Sequence, residues 1–409
     1  MRSPFLRPRA ASAFLLACAA CCAPGPAQAA SGWAYTDLGA LDGSFVGPAS
    51  PAETGIGIGQ AFAASLGTAF SYSGSNATDI TTLNGVSGGS YFVNAAGQVA
   101  GPAYGTSDQA FLYAGGKFST IGSLGGTGTY VTGLNASGEV VGYGSAAGNA
   151  STHAFTYVGG KITDLKTLGG SSSSAIAVND AGQVVGNSNT AGDAASHAFL
   201  YNKGGNLVDL GTLGGSSSSA TAINSSGIVI GSSTLAGNAA KHAFEYSAGK
   251  LVDLGTLGGT NSTAIAVNAS GAVIGNASTA GNGSTHAFLF AGGKMTDLGT
   301  LGGPNSYALG MDSFGDVVGL SDTVVNGVTV QHSFLYSKGT MVDLSTLFPG
   351  VKSFVVAGIN NAMQIIGAAT TANGTVRGLV VSAVPEADSA AMVLAGFALL
   401  AWTARRRRR

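Results

Sequence analysis

One recurring stretch decides most of what this chain can become. From His286 it runs His-Ala-Phe-Leu-Phe, then Ala-Gly-Gly-Lys, then Met-Thr-Asp-Leu-Gly-Thr-Leu-Gly-Gly, ending at Gly303. Close copies begin at His153, His197, His242 and His332, and these are all five histidines of the protein. The steps between them are 44, 45, 44 and 46 residues. A period of that size marks a repeat architecture, in which each unit buries its faces only against its neighbours.

Within a unit the pattern is that of four short strands. Around residue 180, Ser174–Asn179 comes first and an Asp-Ala-Gly turn leads to Gln183–Ser188. A polar loop, Asn189–Ser196, precedes His197–Tyr201, the turn Asn202–Asn206 precedes Leu207–Leu210, and Thr212–Ser218 crosses to the next unit. Runs of this length bounded by Gly, Asn and Asp are what antiparallel hairpins require. No stretch carries an apolar stripe at helical spacing long enough to compete. The fold class expected is therefore all-β, a β-propeller of about eight four-stranded blades. Seven blades, and a stacked β-solenoid, are the alternatives.

The phase of the repeat predicts how the array ends. Third-strand cores fall at Phe70, Phe111, Phe155, Phe199, Phe244, Phe288, Phe334 and Leu379. Fourth-strand positions fall at Asp37, Asp79, Thr120, Asp164, Asp209, Asp253, Asp297 and Asp343. The array thus opens on a lone fourth strand, Tyr35–Gly39, and stops after a third strand, Val376–Ser382. The first segment can complete the last blade and remove the exposed edges of an open array.

The histidines invite a metal reading, but each sits alone in its own unit, and no cysteine is near. The hairpin closed by Gly159-Gly160 puts Phe155 opposite Asp164, with His153 diagonal to it on the same face. Five structural pairs are expected: His153 with Asp164, His197 with Asp209, His242 with Asp253, His286 with Asp297, and His332 with Asp343, each satisfying two polar groups inside an apolar interface. The variants follow the same logic except in the first unit, where Thr68 is aligned to Asp79. Where Gln109 replaces His, Thr120 replaces Asp; where Arg377 takes the His place, the aligned acid is Asp37 on the closing strand. No catalytic, cofactor-binding or metal-binding residue is expected. Asp180, Asp312 and Asp316 read as turn residues, and no isolated carboxylate pair offers a glycosidase acid and base. The serine runs Ser171–Ser174 and Ser216–Ser219 lack a nucleophile-elbow context. The loops Thr190–Asp193 and Thr279–Asn282 could offer calcium or sugar their Asn, Asp and carbonyl oxygens, though a solvated loop is the simpler expectation.

Charge and the termini bear on location. Only 9 % of residues are charged, and mean hydropathy is +0.31, so the 66 glycines read as turns rather than disorder. Setting aside Arg2, Arg7, Arg9 and Arg405–Arg409 leaves 10 basic against 19 acidic residues, a poor surface for nucleic acid. A basic start, the apolar run Ala10–Ala23 and Ala27-Gln28-Ala29 predict a secretory signal peptide over 1–29. Its alternative is a lipoprotein start at Cys18. Cys18, Cys21 and Cys22 all lie within that segment, so the body over 33–382 has no cysteine. At the other end, 384–409 combines Val384-Pro385-Glu386 with the uncharged run Ser389–Ala404 and five arginines. The run would be about 24 Å long as a helix, slightly short of a full span, with arginines holding its end on the cytoplasmic side.

Two resemblances follow. The tail resembles the PEP-CTERM sorting signal of Gram-negative bacteria, with Ala387 in place of the second Pro. It implies an exported protein held at the cell surface by a C-terminal transmembrane helix, with an exosortase-type sorting enzyme as partner, often in bacteria that make extracellular polysaccharide. The copies at His153–Phe155, His197–Phe199, His242–Phe244 and His286–Phe288 resemble the extracellular HAF repeat family, named for His-Ala-Phe. Neither implies a settled activity. The function expected is a non-enzymatic interaction or matrix scaffold without cofactors; a lectin-like propeller that binds exopolysaccharide, or a polysaccharide-acting enzyme, is the alternative. Specific function is expected where the repeat breaks, in Gly43–Ala64 and Val324–Val330.

Overall fold

A computed structural model describes residues 28–30, 33–40, 56–63, 66–73, 76–79, 92–103, 109–348 and 350–383. These form antiparallel ladders in chain order, one per repeat. The first has three strands, Ile56–Ala63, Leu66–Ser73 and Asn76–Asp79. The second begins at Phe92 and the third at Gly125. The fourth, Gly169–Val178, Val184–Thr190, Ser196–Tyr201 and Leu207–Asp209, sets the pattern for the fifth, sixth and seventh. The fifth and sixth are joined by one parallel bridge, Lys241 to Asn261. The eighth consists of Val351–Ile359, Gln364–Thr371 and Val376–Ala383, and the N-terminal strand Trp33–Ala40 pairs with the last of these. A short strand, Gln28–Ala30, adds to its outer edge and spans the predicted cleavage site.

One expectation is corrected at the crossovers. Thr212–Ser218 is not all connection, because the next first strand already begins at Gly214. A register shift between Gly214 and Ser218 lets this glycine-led segment pair with Leu235 before the regular ladder starts. The predicted signal segment before Gln28, the tail after Ala383 and most of Gly43–Ala64 lie outside the described residues. Among the described residues no helix is long and apolar enough to cross a membrane.

The core lies between sheets. Phe155, Phe199, Phe244, Phe288 and Phe334 are fully buried. Phe244 of the fifth sheet packs on Val185, Ala198 and Leu210 of the fourth, and Phe288 packs on Ile230, Ala243 and Leu254 of the fifth. The small Ala of one His-Ala-Phe unit thus receives the Phe of the next, so large meets small across each interface. Each Phe also lies opposite a second-strand glycine, such as Gly231 opposite Phe244. A Cβ on Gly231 would sit 2.0 Å from the Ser219 carbonyl oxygen and 2.7 Å from Phe244 Cζ. In the eighth sheet Leu379 replaces the Phe, and the ring of Phe354 from the first strand covers Gly367 instead. Trp33 and Tyr35 pack on the same cluster, Tyr35 edge-on to Phe348 at 5.6 Å, which anchors the N-terminal strand.

The turns after the first strands gather at one place. Asn94, Asn135, Asn179, Asn224, Asn268, Asp312 and Asn360, from seven consecutive sheets, line a single cavity of about 650 Å³. Sheets stacked in a line about 10 Å apart would put the second and eighth some 60 Å from each other. A shared cavity is incompatible with the solenoid alternative.

Candidate functional site

The repeated polar residues form three tiers of contact. The outermost is the His–Asp pair. In all five complete units Nδ1 of the ring meets the carboxylate: His153–Asp164 at 3.0 Å, His197–Asp209, His242–Asp253 and His286–Asp297 each at 2.8 Å, and His332–Asp343 at 2.7 Å. The register is Phe155 opposite Asp164 and Phe199 opposite Asp209, with Phe111 opposite Thr120 in the variant unit. The surroundings differ from the apolar interface expected. The histidine side chains are 16–26 % exposed and the aspartates 20–42 %, because the fourth strand is the outer edge of its sheet. The aspartate has a second task that the sequence pairing did not reveal. Its Oδ1 accepts the backbone N–H two residues on, from Gly211, Gly255 and Gly299 in successive units, and so shapes the start of each crossover. At Asp164, burial opposes ionisation, but the Lys166 ammonium, the His153 ring and the Lys166 N–H together hold the carboxyl below its ordinary value.

Where the two ends of the array pair, Leu379 lies opposite Asp37 and Arg377 opposite Ala40. That is the Phe-opposite-Asp register of the other units, made here between the two ends of the array. Arg377 also lines a second cavity of about 510 Å³ with Tyr35, Thr371 and Asn373. The side chain of Asp37 lies outside the described residues, as do Val384, Pro385 and Glu386 of the expected sorting signal.

The middle tier is a serine latch, which sequence reasoning missed. Beside the bulge where the fourth strand leaves the third, the N–H of the Ala in His-Ala-Phe needs an acceptor. The next sheet supplies it: Ala154, Ala198 and Ala243 donate to Oγ of Ser173, Ser218 and Ser262, each at 2.9 Å, and Ala287 to Ser306 at 3.0 Å. Each hydroxyl then donates to a crossover carbonyl, that of Gly211 in the case of Ser218. All four serines are buried. Between the seventh and eighth sheets the partners trade places. Ser333 replaces Ala and bonds both the Phe354 carbonyl and the Val356 N–H, while Phe354 takes the serine position. In the Thr190–Asp193 and Thr279–Asn282 loops, weighed for calcium or sugar, one side-chain oxygen of each is engaged within the chain. Asp193 Oδ1 accepts the Ser171 N–H at 2.7 Å and Asn282 Oδ1 the Thr260 N–H at 2.8 Å.

The innermost tier surrounds the axial cavity. The turn asparagines are buried, and each Oδ1 accepts backbone N–H groups of its own turn. From Asn94 to Asn224 the Nδ2 reaches to the neighbouring sheet: Asn94 to the Asn135 carbonyl at 2.8 Å, Asn135 to Asn179 at 3.0 Å, Asn179 to Asn224 at 3.0 Å, and Asn224 to Asn268 at 2.9 Å. Asn268 continues to the Asp312 carbonyl at 3.3 Å. The chain of amides then meets a carboxylate, because Asp312 occupies the next asparagine position. Its Oδ1 behaves like the others and accepts the Phe314 and Asp316 N–H groups, each at 2.9 Å. Oδ2 is buried without a hydrogen-bond partner, and burial, aided by the charge of Asp316, pushes the carboxyl above its ordinary value. The seventh unit departs elsewhere too. Phe314 is 78 % exposed at the tip of the same turn, and Val324, Val325 and Val328 are exposed at the tip of the lengthened hairpin around Asn326-Gly327.

No known family profile and no curated protein matches the sequence. Among solved structures, the chain is similar to dipeptidyl peptidase 4 of Porphyromonas gingivalis, with a TM-score of 0.51 at 11 % identity over 81 % of this chain and 58 % of the peptidase. The chain therefore spans little more than half of that enzyme's length. TolB of Acinetobacter baumannii aligns with a TM-score of 0.32 at 9 % identity, over 86 % of this chain and 80 % of TolB. A Trypanosoma rangeli sialidase gives 0.32 at 10 % identity, over 88 % of this chain and 60 % of the sialidase. At 11 % identity the first likeness bears on the fold alone, and it supports a propeller-like all-β architecture.

Proposed function

We propose that the protein is a closed, eight-bladed propeller of the HAF-repeat type, exported to the cell surface as a non-enzymatic interaction or matrix scaffold. The observation that carries this reading is where the repeated polar side chains are engaged. The His–Asp pairs, the serines and the turn asparagines each make the same bond in unit after unit, within a sheet or across to the next. Groups used this way build a rigid frame, and what they leave to a partner is the surface between them. Closure is supported by the pairing of Trp33–Ala40 with Val376–Ala383, which gives the eighth sheet the fourth strand that the repeat phase lacks. Anchoring through 384–409 and processing by an exosortase-type enzyme rest on the resemblance of the tail, which leaves the body at Ala383, between strands paired on both sides.

The axial cavity favours a lectin-like variant of the same role, because its wall alternates turn amides such as Asn179 and Asn361 with aliphatic residues such as Ile223 and Val267. Calorimetric titration of the protein with the host's own exopolysaccharide separates the readings. A scaffold gives neither heat nor product, and a lectin gives heat alone. Released oligosaccharide would overturn the non-enzymatic proposal. Replacing Val384, Pro385 and Glu386 by alanine should leave an unprocessed, membrane-retained chain; normal release would remove the sorting reading.

A further inference from the structure

We propose that Asn326 is a covalent modification site, where the chain's own backbone converts the asparagine into aspartate and isoaspartate. The ground for this is a tie that four units make and the seventh cannot. Between second and third strands, Asn149, Asp193, Asn238 and Asn282 recur with left-handed backbones, φ 57–59°. Each Oδ1 accepts a backbone N–H from the start of the first strand: Thr127 at 2.9 Å, Ser171 at 2.7 Å, Ser216 at 2.8 Å and Thr260 at 2.8 Å. Donor and acceptor stand 22 residues apart every time. In the seventh unit the same step joins Pro304 to Asn326. Proline has no N–H to give. The hairpin also runs on, through Val324 opposite Thr329 and Val325 opposite Val328, so that Asn326 and Gly327 form its two-residue turn. Asn326 keeps the left-handed backbone, φ 52°, but its side chain is exposed and has no hydrogen-bond partner among the described residues.

An asparagine followed by glycine is open to attack on its side-chain amide, because glycine has no Cβ to shield its own nitrogen. The Gly327 nitrogen adds to Asn326 Cγ, the Cγ–Nδ2 bond breaks, and Nδ2 leaves as ammonia with the displaced proton. Water then opens the five-membered imide at either carbonyl, giving aspartate or isoaspartate with no change of oxidation state. Two freedoms are needed: a side chain that can turn over the backbone, and a glycine N–H not held elsewhere. Asn282-Gly283 and Asn373-Gly374 carry the same dipeptide without both. Asn282 Oδ1 holds the Thr260 N–H, and Asn373 Oδ1 accepts from Thr371 Oγ1 and the Thr375 N–H, while Gly374 N–H donates to the Thr371 carbonyl. Gly327 N–H makes no such turn bond, and a Cβ there would meet nothing within 4 Å. Val324–Thr329 pair only with one another, so opening this turn leaves the rest of the sheet intact. The product places a negative charge among the exposed Val324, Val325 and Val328.

The test is to hold the full chain, folded and in urea, in warm, mildly alkaline buffer and to map it by peptide mass spectrometry. In the folded protein Asn326 should gain about 1 Da, resolve into two isomers, and react at least about tenfold faster than Asn282 and Asn373. Oxygen-18 water should raise the gain to about 3 Da, since the new oxygen comes from solvent. In urea the three sites should converge, because the ties at Asn282 and Asn373 are gone. Gly327→Ala should slow the reaction at residue 326 by about tenfold or more, in urea as well as in buffer, which separates the chemistry from any effect on folding. An Asn326 that reacts no faster than Asn282 and Asn373 in the folded protein would overturn the proposal. An unchanged rate in Gly327→Ala would overturn it equally.

Discussion

Substituting Ser218 by Ala tests which tier holds the sheets together. Ser218 is 4 % exposed; its Oγ accepts the Ala198 N–H at 2.9 Å and donates to the Gly211 carbonyl at 2.6 Å. Alanine keeps the methylene and opens almost no cavity, so the loss is confined to two buried backbone groups left without partners. Each such orphan costs roughly 1–3 kcal/mol, and partial relaxation of the crossover brings the pair to about 2–4 kcal/mol. The comparison is His197→Gln. His197 and Asp209 are 19 % and 42 % exposed, so solvent screens the pair and water replaces the lost bond, for a cost of about 0–1 kcal/mol. Urea unfolding with matched m-values measures both, and hydrogen exchange reads the Ala198 N–H directly, where protection should fall in the first variant alone. A Ser218→Ala variant within about 0.5 kcal/mol of wild type, or less damaging than His197→Gln, would refute the ranking.

Two further outcomes are expected. Gly231→Ala drives a Cβ into the Ser219 carbonyl and the Phe244 ring, neither of which can yield inside the ladder. It should cost on the order of 3 kcal/mol or more in chemical denaturation, whereas Gly249→Ala, at a turn with open space but positive φ, should cost less. Asp164 governs part of the acid limb of stability. Its carboxyl is held below the ordinary value in the folded state, so its contribution is complete above about pH 4 and is lost as the pH falls through the folded value. Asp164→Asn should flatten that stretch of the stability–pH curve; an unchanged slope would place the acid sensitivity elsewhere.

The repeat and its phase were legible because they depend on large apolar residues at a fixed spacing. Phe155, Phe199 and Phe244 marked the third strands, and the missing fourth strand after Val376–Ser382 foretold the use of Trp33–Ala40. The hairpin register followed from turn length alone, which is why Phe155 was placed opposite Asp164. Burial of the His–Asp pairs was overestimated, since strand alternation gives the face of a side chain but not its distance from the edge of the sheet. The serine latch and the asparagine chain stayed hidden for a different reason. Both act between sheets, the serines across about 20 residues and the asparagines across about one period, and in the chain Ser216–Ser219 looks like polar filler. Their signal was recurrence: Ser218 and Ser262 stand six residues before Asn224 and Asn268. The second-strand glycines, as in Val229-Ile230-Gly231, were visible in the same way. Asp312 was read as a turn residue, which it is; that it also breaks a chain of amides needed the neighbouring sheet.

The pairing of Trp33–Ala40 with Val376–Ala383 sets a condition on when the molecule can be finished. Nearly every other strand finds its partner within a few tens of residues, as soon as the local hairpin has emerged. This one waits for the whole of the intervening chain, so its contact carries the largest loop-closure penalty among the described pairings and is expected to form last. Until then the first-made segment offers an unpaired edge, with Trp33 and Tyr35 not yet seated. A chain stopped short of Val376 has nothing to receive them. The two ends of the array are therefore paired only in a chain that extends through Val376–Ala383.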